Sequence, residues 1–299
     1  MLVFLGKRND PMISDFRRSL LYVPGDSPKM LRRAATLPSD MLLLNLEDGV
    51  ASAKKEEARG NVADAFNAMI FADREIVVRI NSLSGDVGLR DLAAVVPKNP
   101  DGICLPKIER ATEIQAAAAA ILELEIKHGL PEGGIRLHAM IESAAGLLHS
   151  SEIAAASSRM ASLIFGSADF VSDMRCQPGE DRIELLLALQ LIAASARSAG
   201  IDSIDAPCFN LKDADLLRRE AVQARRLGFD GKSALHPDQL AVINEVFDVT
   251  SEEIAWAERM IAELDDAEIK GKALTTIDGN LIDNPHRKAA ERILARKNQ

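Results

Sequence analysis

Four carboxylates and one arginine stand at or just beyond the ends of short apolar runs in this 299-residue chain. Glu47 and Asp48 follow Leu44-Asn45-Leu46, Arg79 closes Ile76-Val77-Val78, Glu142 follows Ala139-Met140-Ile141, and Asp169 comes shortly after Leu163-Ile164-Phe165. Taken singly, each has an ordinary structural explanation, because a carboxylate after a strand often caps a helix and an arginine often pairs at the surface. Taken together they describe a site for a hard cation. Mg2+ takes oxygen ligands, usually one or two carboxylates completed by waters and substrate oxygens. No histidine or cysteine is placed to compete for such an ion.

Other polar residues carry weaker signals. Lys107 follows Ile103-Cys104-Leu105, and a lysine at a strand end supports a rival chemistry, a metal-free aldolase working through a Schiff base. Its plain alternative is a salt bridge to a neighbouring acid, and the rival leaves Glu142 and Asp169 without a purpose. His138 falls inside a strand and is expected to be a satisfied core histidine, whereas His236 in Leu235-His236-Pro237 stands where it would approach a ligand. His128, His149 and His286 fall on or near helices, show no evident partner and are expected at the surface. Gly25-Asp26-Ser27-Pro28 and Gly85-Asp86-Val87-Gly88 match neither glycine-rich phosphate motif and are expected to be turns.

The elements that position these residues alternate in a regular way. Apolar runs at 20–23, 41–46, 76–80, 102–105, 136–141, 163–165, 203–205 and 231–234 are separated by stretches of helical periodicity. Most runs lack strict polar alternation, as strands covered on both faces do. Eight βα units make the expected fold α/β, a (β/α)8 TIM barrel, whose catalytic groups gather at the C-terminal ends of the strands. Residues 113–128 and 181–199 are rich in Ala and Leu and are expected to bury an outer helix face. The segments after the eighth strand exceed what a barrel needs. The expected organisation is an N-terminal arm over residues 1–16, a catalytic barrel over 17–250 and a C-terminal helical extension over 251–299.

Bulk properties narrow the partners. A net charge of -9 argues against nucleic acid and membrane surfaces, while a few local cations still suffice for an anionic ligand such as coenzyme A. Cys104, Cys176 and Cys208 share no metal-ligand spacing and are expected to be reduced core thiols. No apolar run approaches the ~20 residues of a membrane span, and a cytoplasmic location is expected.

Read in order, several segments resemble one family: Arg18-Ser19-Leu20-Leu21-Tyr22-Val23-Pro24-Gly25, Leu46-Glu47-Asp48-Gly49-Val50, Arg79-Ile80-Asn81, Leu105-Pro106-Lys107, Ile141-Glu142-Ser143, Phe165-Gly166-Ser167-Ala168-Asp169-Phe170, Gly228-Phe229-Asp230-Gly231-Lys232 and Leu235-His236-Pro237-Asp238-Gln239. The chain from about residue 17 to about 290 is similar to the citrate lyase β-subunit and malyl-CoA lyase family of HpcH/HpaI-type aldolases. The resemblance implies a (β/α)8 barrel, often trimeric, that binds Mg2+, with Mn2+ a substitute. It implies cleavage or formation of a bond between an acyl-CoA α-carbon and a keto-acid carbonyl.

By that resemblance Glu142 and Asp169 are metal ligands, Arg79 is the substrate arginine, and Glu47 with Asp48 is the acidic pair near metal-bound water. Tyr22, Arg33, Ala168, Leu235 and His236 fall near positions that contact substrate or nucleotide. A general acid-base group would come from a neighbouring subunit's C-terminal segment, with Asp283 the candidate; the alternative role for Asp283 is a helix cap before Pro285. The chain departs from the family at Asn45 and Ser82, where Asp and Pro are usual, and in Leu185-Leu186-Leu187-Ala188-Leu189-Gln190, where members often carry an arginine. These departures leave the substrate open among malyl-, citramalyl-, citryl- and hydroxymethylglutaryl-type esters. A synthase or thioesterase would use the same site and stays open, whereas the intact acidic ligands and Arg79 speak against the third alternative, an accessory subunit without activity.

Overall fold

The computed structural model describes residues 16–297 apart from 69–70 and 72–73. Eight parallel strands close a barrel in sequence order: β1 Ser19–Pro24, β2 Met41–Asn45, β3 Glu75–Arg79, β4 Gly102–Leu105, β5 Arg136–Ile141, β6 Met160–Phe165, β7 Asp202–Asp205 and β8 Gly231–Ala234. Every expected strand is present, with ends moved by a few residues. Helix boundaries follow local chemistry: Ser27 caps the helix Pro28–Ala34 by accepting from the Met30 amide, and Gly200 ends the helix Leu186–Ala199 at φ 70°.

The period of two along a strand sorts side chains into two layers. Leu20, Met41, Leu43, Val77, Cys104, Met140, Ile164 and Ile204 point into the barrel and form one buried cluster. Leu42, Leu44, Ile76, Val78, Leu137, Ala139 and Ile141 point outward against the helices. Fully burying each large apolar side chain contributes about 1.5–3 kcal/mol, so the interior cluster is a firm floor. The next inward positions toward the C-terminal mouth are Tyr22, Asn45, Arg79 and Glu142, each two residues beyond an interior apolar residue. The fold thereby stands a ring of polar groups on an apolar floor.

Beneath that floor lies a second polar layer. Arg17 donates to Glu75 (2.6 and 3.0 Å) and Asp202 (2.5 Å), and His138 Nδ1 lies 2.8 Å from Ser162 Oγ. A Cβ on Gly102 would stand 2.6 Å from His138 Nε2, so the imidazole occupies space that glycine leaves. Outside the barrel, Arg159 clamps the buried Glu125 (2.6 and 2.9 Å). Lys232, fully buried, reaches Asp205 (2.7 Å) and Glu220 (3.0 Å).

Arg17–Phe247 make one compact unit, and residues from Asp248 onward, with Phe16, make another. The second unit holds the helices Ser251–Ile269 and Asn284–Lys297 and a hairpin of β9 Thr275–Ile277 and β10 Asn280–Ile282. Its own core includes Ala257, Met260, Leu264, Ile277, Ile282 and Ala290. Asp278 and Gly279 take φ of 51° and 80°, the two left-handed residues of a type I′ hairpin turn. The sequence marks that turn but not the three-residue strands around it. Apart from Phe16, the expected N-terminal arm lies outside the described residues.

Several expectations need correction. His149 contacts Arg110 and the Ala145 carbonyl, and His286 Nδ1 lies 2.7 Å from Asp283 Oδ1, so neither lacks a partner. His138 is only half satisfied, since its Nε2 has no hydrogen bond. The helix after Asp181 buries Ala188, Leu189, Ile192 and Ala196 but leaves Ile183, Leu187 and Leu191 exposed one turn apart. Cys104 and Cys208 are buried free thiols, whereas Cys176 is half-buried. Among the described residues no helix is long and apolar enough to cross a membrane.

Candidate active site

The polar ring borders a cavity of about 330 Å3 lined by Tyr22, Asn45, Asp48, Arg79, Glu142, Ala168, Asp169 and Leu235, among others. Arg79 is nearly buried, and most of its donors are committed. Nε donates to Asn45 Oδ1 (2.8 Å), Nη2 donates to the Asp48 carbonyl (3.0 Å) and pairs with Glu47 Oε2 (3.1 Å), and Nη1 faces Met140 Sδ (3.4 Å). The guanidinium carbon also lies 5.4 Å from the centre of the Tyr22 ring. Burial opposes its charge, but its surroundings, Tyr22 and Glu47 foremost, raise its pKa above the ordinary arginine value.

Asn45, in the sequence only a departure from the family, stands at the centre of this cluster. Its Oδ1 accepts from both Arg79 Nε and the Glu47 amide (3.0 Å), and its Nδ2 donates to the Asp48 carbonyl. A neutral amide supplies a donor and an acceptor at once, which an ionised aspartate does not. Its position two residues beyond the inward-facing Leu43 was the signal available.

Lys107 joins the two halves of the site. Its ammonium contacts Glu47 Oε1 (2.9 Å) and Asp48 Oδ2 (3.0 Å), while its amide donates to Glu142 Oε1 (2.6 Å). The residue adopts φ 54°, a conformation that costs energy for a side chain other than glycine. Burial alone would lower its pKa, but hydrogen bonds to Glu47 and Asp48 raise it well above the lysine value. Schiff-base chemistry needs a free amine, so the salt bridge is the reading these contacts favour. The same bonds hold Asp48 below the usual carboxylate range against the opposing effect of partial burial.

Four carboxylates, Glu47, Asp48, Glu142 and Asp169, thus meet two fixed cations, Arg79 and Lys107. The ion pairs of the two cations go to Glu47 and Asp48, and among the described residues none goes to Glu142 or Asp169. Burial, moderated by the Lys107 amide and reinforced by Asp169, pushes Glu142 up to about 7. A Cβ at Gly166 would fall 2.5 Å from Glu142 Oε2, so only glycine leaves room for this carboxylate. Among the described residues no group of three or more His, Cys, Asp or Glu gathers to form a protein cage for a metal. Two carboxylates on an open cavity instead fit Mg2+, which keeps waters and substrate oxygens in its shell.

The remaining candidates lie elsewhere. Arg33 is exposed in the last turn of its helix and does not border the cavity. His236 precedes a short 3-10 turn, where its Nδ1 accepts from the Asp238 amide at 3.3 Å. Asp283 belongs to the second compact unit, at the cap position before the helix Asn284–Lys297. Its carbonyl accepts from the amides of His286 and Arg287, and its carboxylate contacts the His286 ring.

Comparisons with known proteins agree on one relationship. A family model described as HpcH/HpaI aldolase/citrate lyase matches residues 18–237, and one described as a C-C bond lyase of the TIM-barrel fold matches residues 189–299. The chain is similar to the citrate lyase subunit beta of Leuconostoc mesenteroides subsp. cremoris, 36% identical over 278 residues, covering 93% of this chain and 92% of that protein. It is similar to a (3S)-malyl-CoA thioesterase of Cereibacter sphaeroides, 34% identical over 279 residues, covering 93% and 94%. The crystal structure of protein CitE from Mycobacterium tuberculosis in complex with magnesium, acetoacetate and coenzyme A matches with a TM-score of 0.76 and 27% identity. That match covers 94% of this chain and 98% of that one.

Proposed function

The chain belongs to the HpcH/HpaI aldolase/citrate lyase family, and on that premise we propose that it is a Mg2+-dependent lyase that breaks, or in reverse forms, the C2–C3 bond of a 3-hydroxyacyl-CoA ester. The observation that carries this reading is the pair Glu142 and Asp169, without an ion-pair partner among the described residues, beside an Arg79 held in place by its neighbours. The relative solved with magnesium, acetoacetate and coenzyme A supports the same combination of ligands.

In the cleavage direction the hydroxyl on C3 gives up its proton, the C2–C3 bond breaks, and its electron pair passes into the thioester enolate. C2 then takes up one proton, giving an acyl-CoA and, where the hydroxyl-bearing carbon carries a carboxylate, a 2-oxo acid. Mg2+ held by Glu142 and Asp169 would supply Lewis acidity toward the oxygens of the 2-oxo acid fragment, and Mn2+ would suit the same donors. Arg79, locked by Asn45, Glu47 and Asp48, offers a preorganised positive charge where the enolate oxygen develops. Because its geometry is fixed before substrate arrives, little reorganisation is needed in the transition state. Lys107 keeps Glu47 and Asp48 neutralised, so that they orient water rather than draw a second cation into the site.

The proton on C2 comes, in this reading, from Asp283 of a neighbouring subunit in a cytoplasmic homo-oligomer, a trimer in the form the family resemblance implies. Mixing Asp283→Asn and Arg79→Ala chains should then restore activity through hybrid sites. No recovery after verified subunit exchange removes the trans role.

The thioesterase relative favours one second outcome, hydrolysis of the thioester at the same site. Incubation with Mg2+ and malyl-, citramalyl-, citryl- and hydroxymethylglutaryl-CoA, with products identified by mass, separates them. Acyl-CoA plus a 2-oxo acid, or plus acetoacetate from the hydroxymethylglutaryl ester, is the expected result. Free coenzyme A plus an intact hydroxy acid would overturn the lyase reading in favour of the hydrolase.

A further inference from the structure

A second cavity, also of about 330 Å3, shares Ser167, Ala168, Pro207 and Phe209 with the one that holds Glu142 and Asp169. Two of the shared residues, Ser167 and Ala168, directly precede Asp169 in the chain. Val171, Leu185, Pro207 and Phe209 give it apolar walls. Phe209 is 58% exposed although its ring borders both spaces, an arrangement that leaves a large apolar surface for a ligand to cover.

The charged groups at this cavity are already spent on one another. Arg182, nearly buried, gives Nη1 and Nη2 to Asp205 at 3.0 and 2.6 Å. Lys232 meets Asp205 at 2.7 Å, Glu220 at 3.0 Å and the Ala206 carbonyl at 2.7 Å. Two cations therefore balance two carboxylates, and the remaining acid, Glu184, accepts from the Gly179 amide at 3.2 Å. A carboxylate entering here would lose hydration and meet Glu184 with no free counter-charge, whereas an alkyl group would only lose contact with water.

From this balance we infer that the second cavity is a side chamber for an apolar substituent on the hydroxyl-bearing carbon of the substrate. The preferred esters then release a 2-oxo acid whose alkyl side chain is longer than methyl, and a substituent ending in a carboxylate, as in a citryl ester, is rejected. The inference rests on the lyase reading for the identity of the 2-oxo acid fragment, but the chamber is tested by binding alone.

The experiment is calorimetric titration of the full chain with Mg2+ against pyruvate, 2-oxobutanoate, 2-oxopentanoate and oxaloacetate. Affinity should rise by roughly fourfold per methylene from pyruvate to 2-oxopentanoate, the gain of one buried CH2, and oxaloacetate should bind more weakly than 2-oxopentanoate. Val171→Phe narrows the chamber and should flatten the alkyl series. Phe209→Ser, at an exposed position that the fold does not need filled, should flatten it as well by removing an apolar wall. A flat or falling series in the unaltered protein, tighter binding of oxaloacetate, or a series unchanged in both variants overturns the chamber. Cleavage of the matching CoA esters is scored separately. Binding in the expected order with no ester cleaved overturns the lyase reading and leaves the chamber standing, and no binding of any 2-oxo acid overturns both.

Discussion

The ammonium of Lys107 lies 2.9 Å from Oε1 of Glu47, and the amide of the same lysine lies 2.6 Å from Oε1 of Glu142. One residue thus holds a carboxylate that is neutralised and another that is not. Lys107→Ala frees the acidic pair and should lower turnover or Mg2+ affinity roughly 10–100-fold, the usual effect of losing a partner that orients a metal ligand. Borohydride with substrate should leave the unaltered enzyme active. Borohydride inactivation with a substrate adduct on Lys107 would instead restore the Schiff-base aldolase.

Arg79→Lys keeps a positive charge but loses the planar fork that engages Asn45, Glu47 and the Asp48 carbonyl together. Turnover should fall by about 10²–10³, as on removal of a preorganised donor to a developing oxyanion. The melting transition should move much less. Turnover within threefold of the unaltered enzyme, in a folded variant, would remove Arg79 from charge stabilisation.

Gly166→Ala should be a selective lesion. Its new Cβ would stand 2.5 Å from Glu142 Oε2 and 2.6 Å from Glu142 Cβ, forcing that carboxylate from its place. Mg2+ binding should drop below detection in calorimetry while circular dichroism keeps the barrel signature. Gly60→Ala makes a fitting control, because nothing lies within 4 Å of its Cβ in the helix Lys55–Asn67. There the helix should gain roughly 0.5–1 kcal/mol. Undiminished Mg2+ affinity in Gly166→Ala would mean that Glu142 is not a ligand.

His138 gives the barrel a pH dependence away from the site. Burial lowers its pKa from the ordinary 6.5 to about 4. Above pH 6.5 both folded and unfolded chains hold it neutral; between 6.5 and 4 only the unfolded chain binds the proton, so stability falls as pH falls. The loss amounts to on the order of 3 kcal/mol across that window, at 1.36 kcal/mol per unit. Glu75, its neighbour at 3.6 Å, is held below the carboxylate range by Arg17 against the opposing effect of burial, and adds a loss of the same sign at lower pH. His138→Asn should flatten the slope of urea-unfolding free energy between pH 7 and 5. An identical slope in the variant would exclude His138 as its source.

The sequence carried the barrel because short, nearly continuous apolar runs and helical stretches are local signals, and all eight strands lie where those runs lie. It also carried Glu47, Asp48, Arg79, Glu142 and Asp169, since polar groups at strand ends have one mouth on which to gather. The role of Asn45 was hidden because it depends on three partners: Arg79, distant in sequence but near in space, and Glu47 and Asp48, met through their backbone atoms. The amide of Lys107 left no trace in side-chain chemistry, and Phe209 sits in a loop without periodicity. The hairpin around Asp278 and Gly279 escaped because strands of three residues are too short for alternation to appear.

Whether carbon-carbon cleavage depends on a divalent cation held by Glu142 and Asp169 is decided by a metal titration of chelator-treated protein. Release of the 2-oxo acid from a 3-hydroxyacyl-CoA ester is followed as Mg2+ is added back, with Glu142→Gln and Asp169→Asn alongside. No release without metal, saturable recovery with one Mg2+ per chain, and no recovery in either variant are expected. Full release in excess chelator, or full recovery in Glu142→Gln, would contradict that dependence.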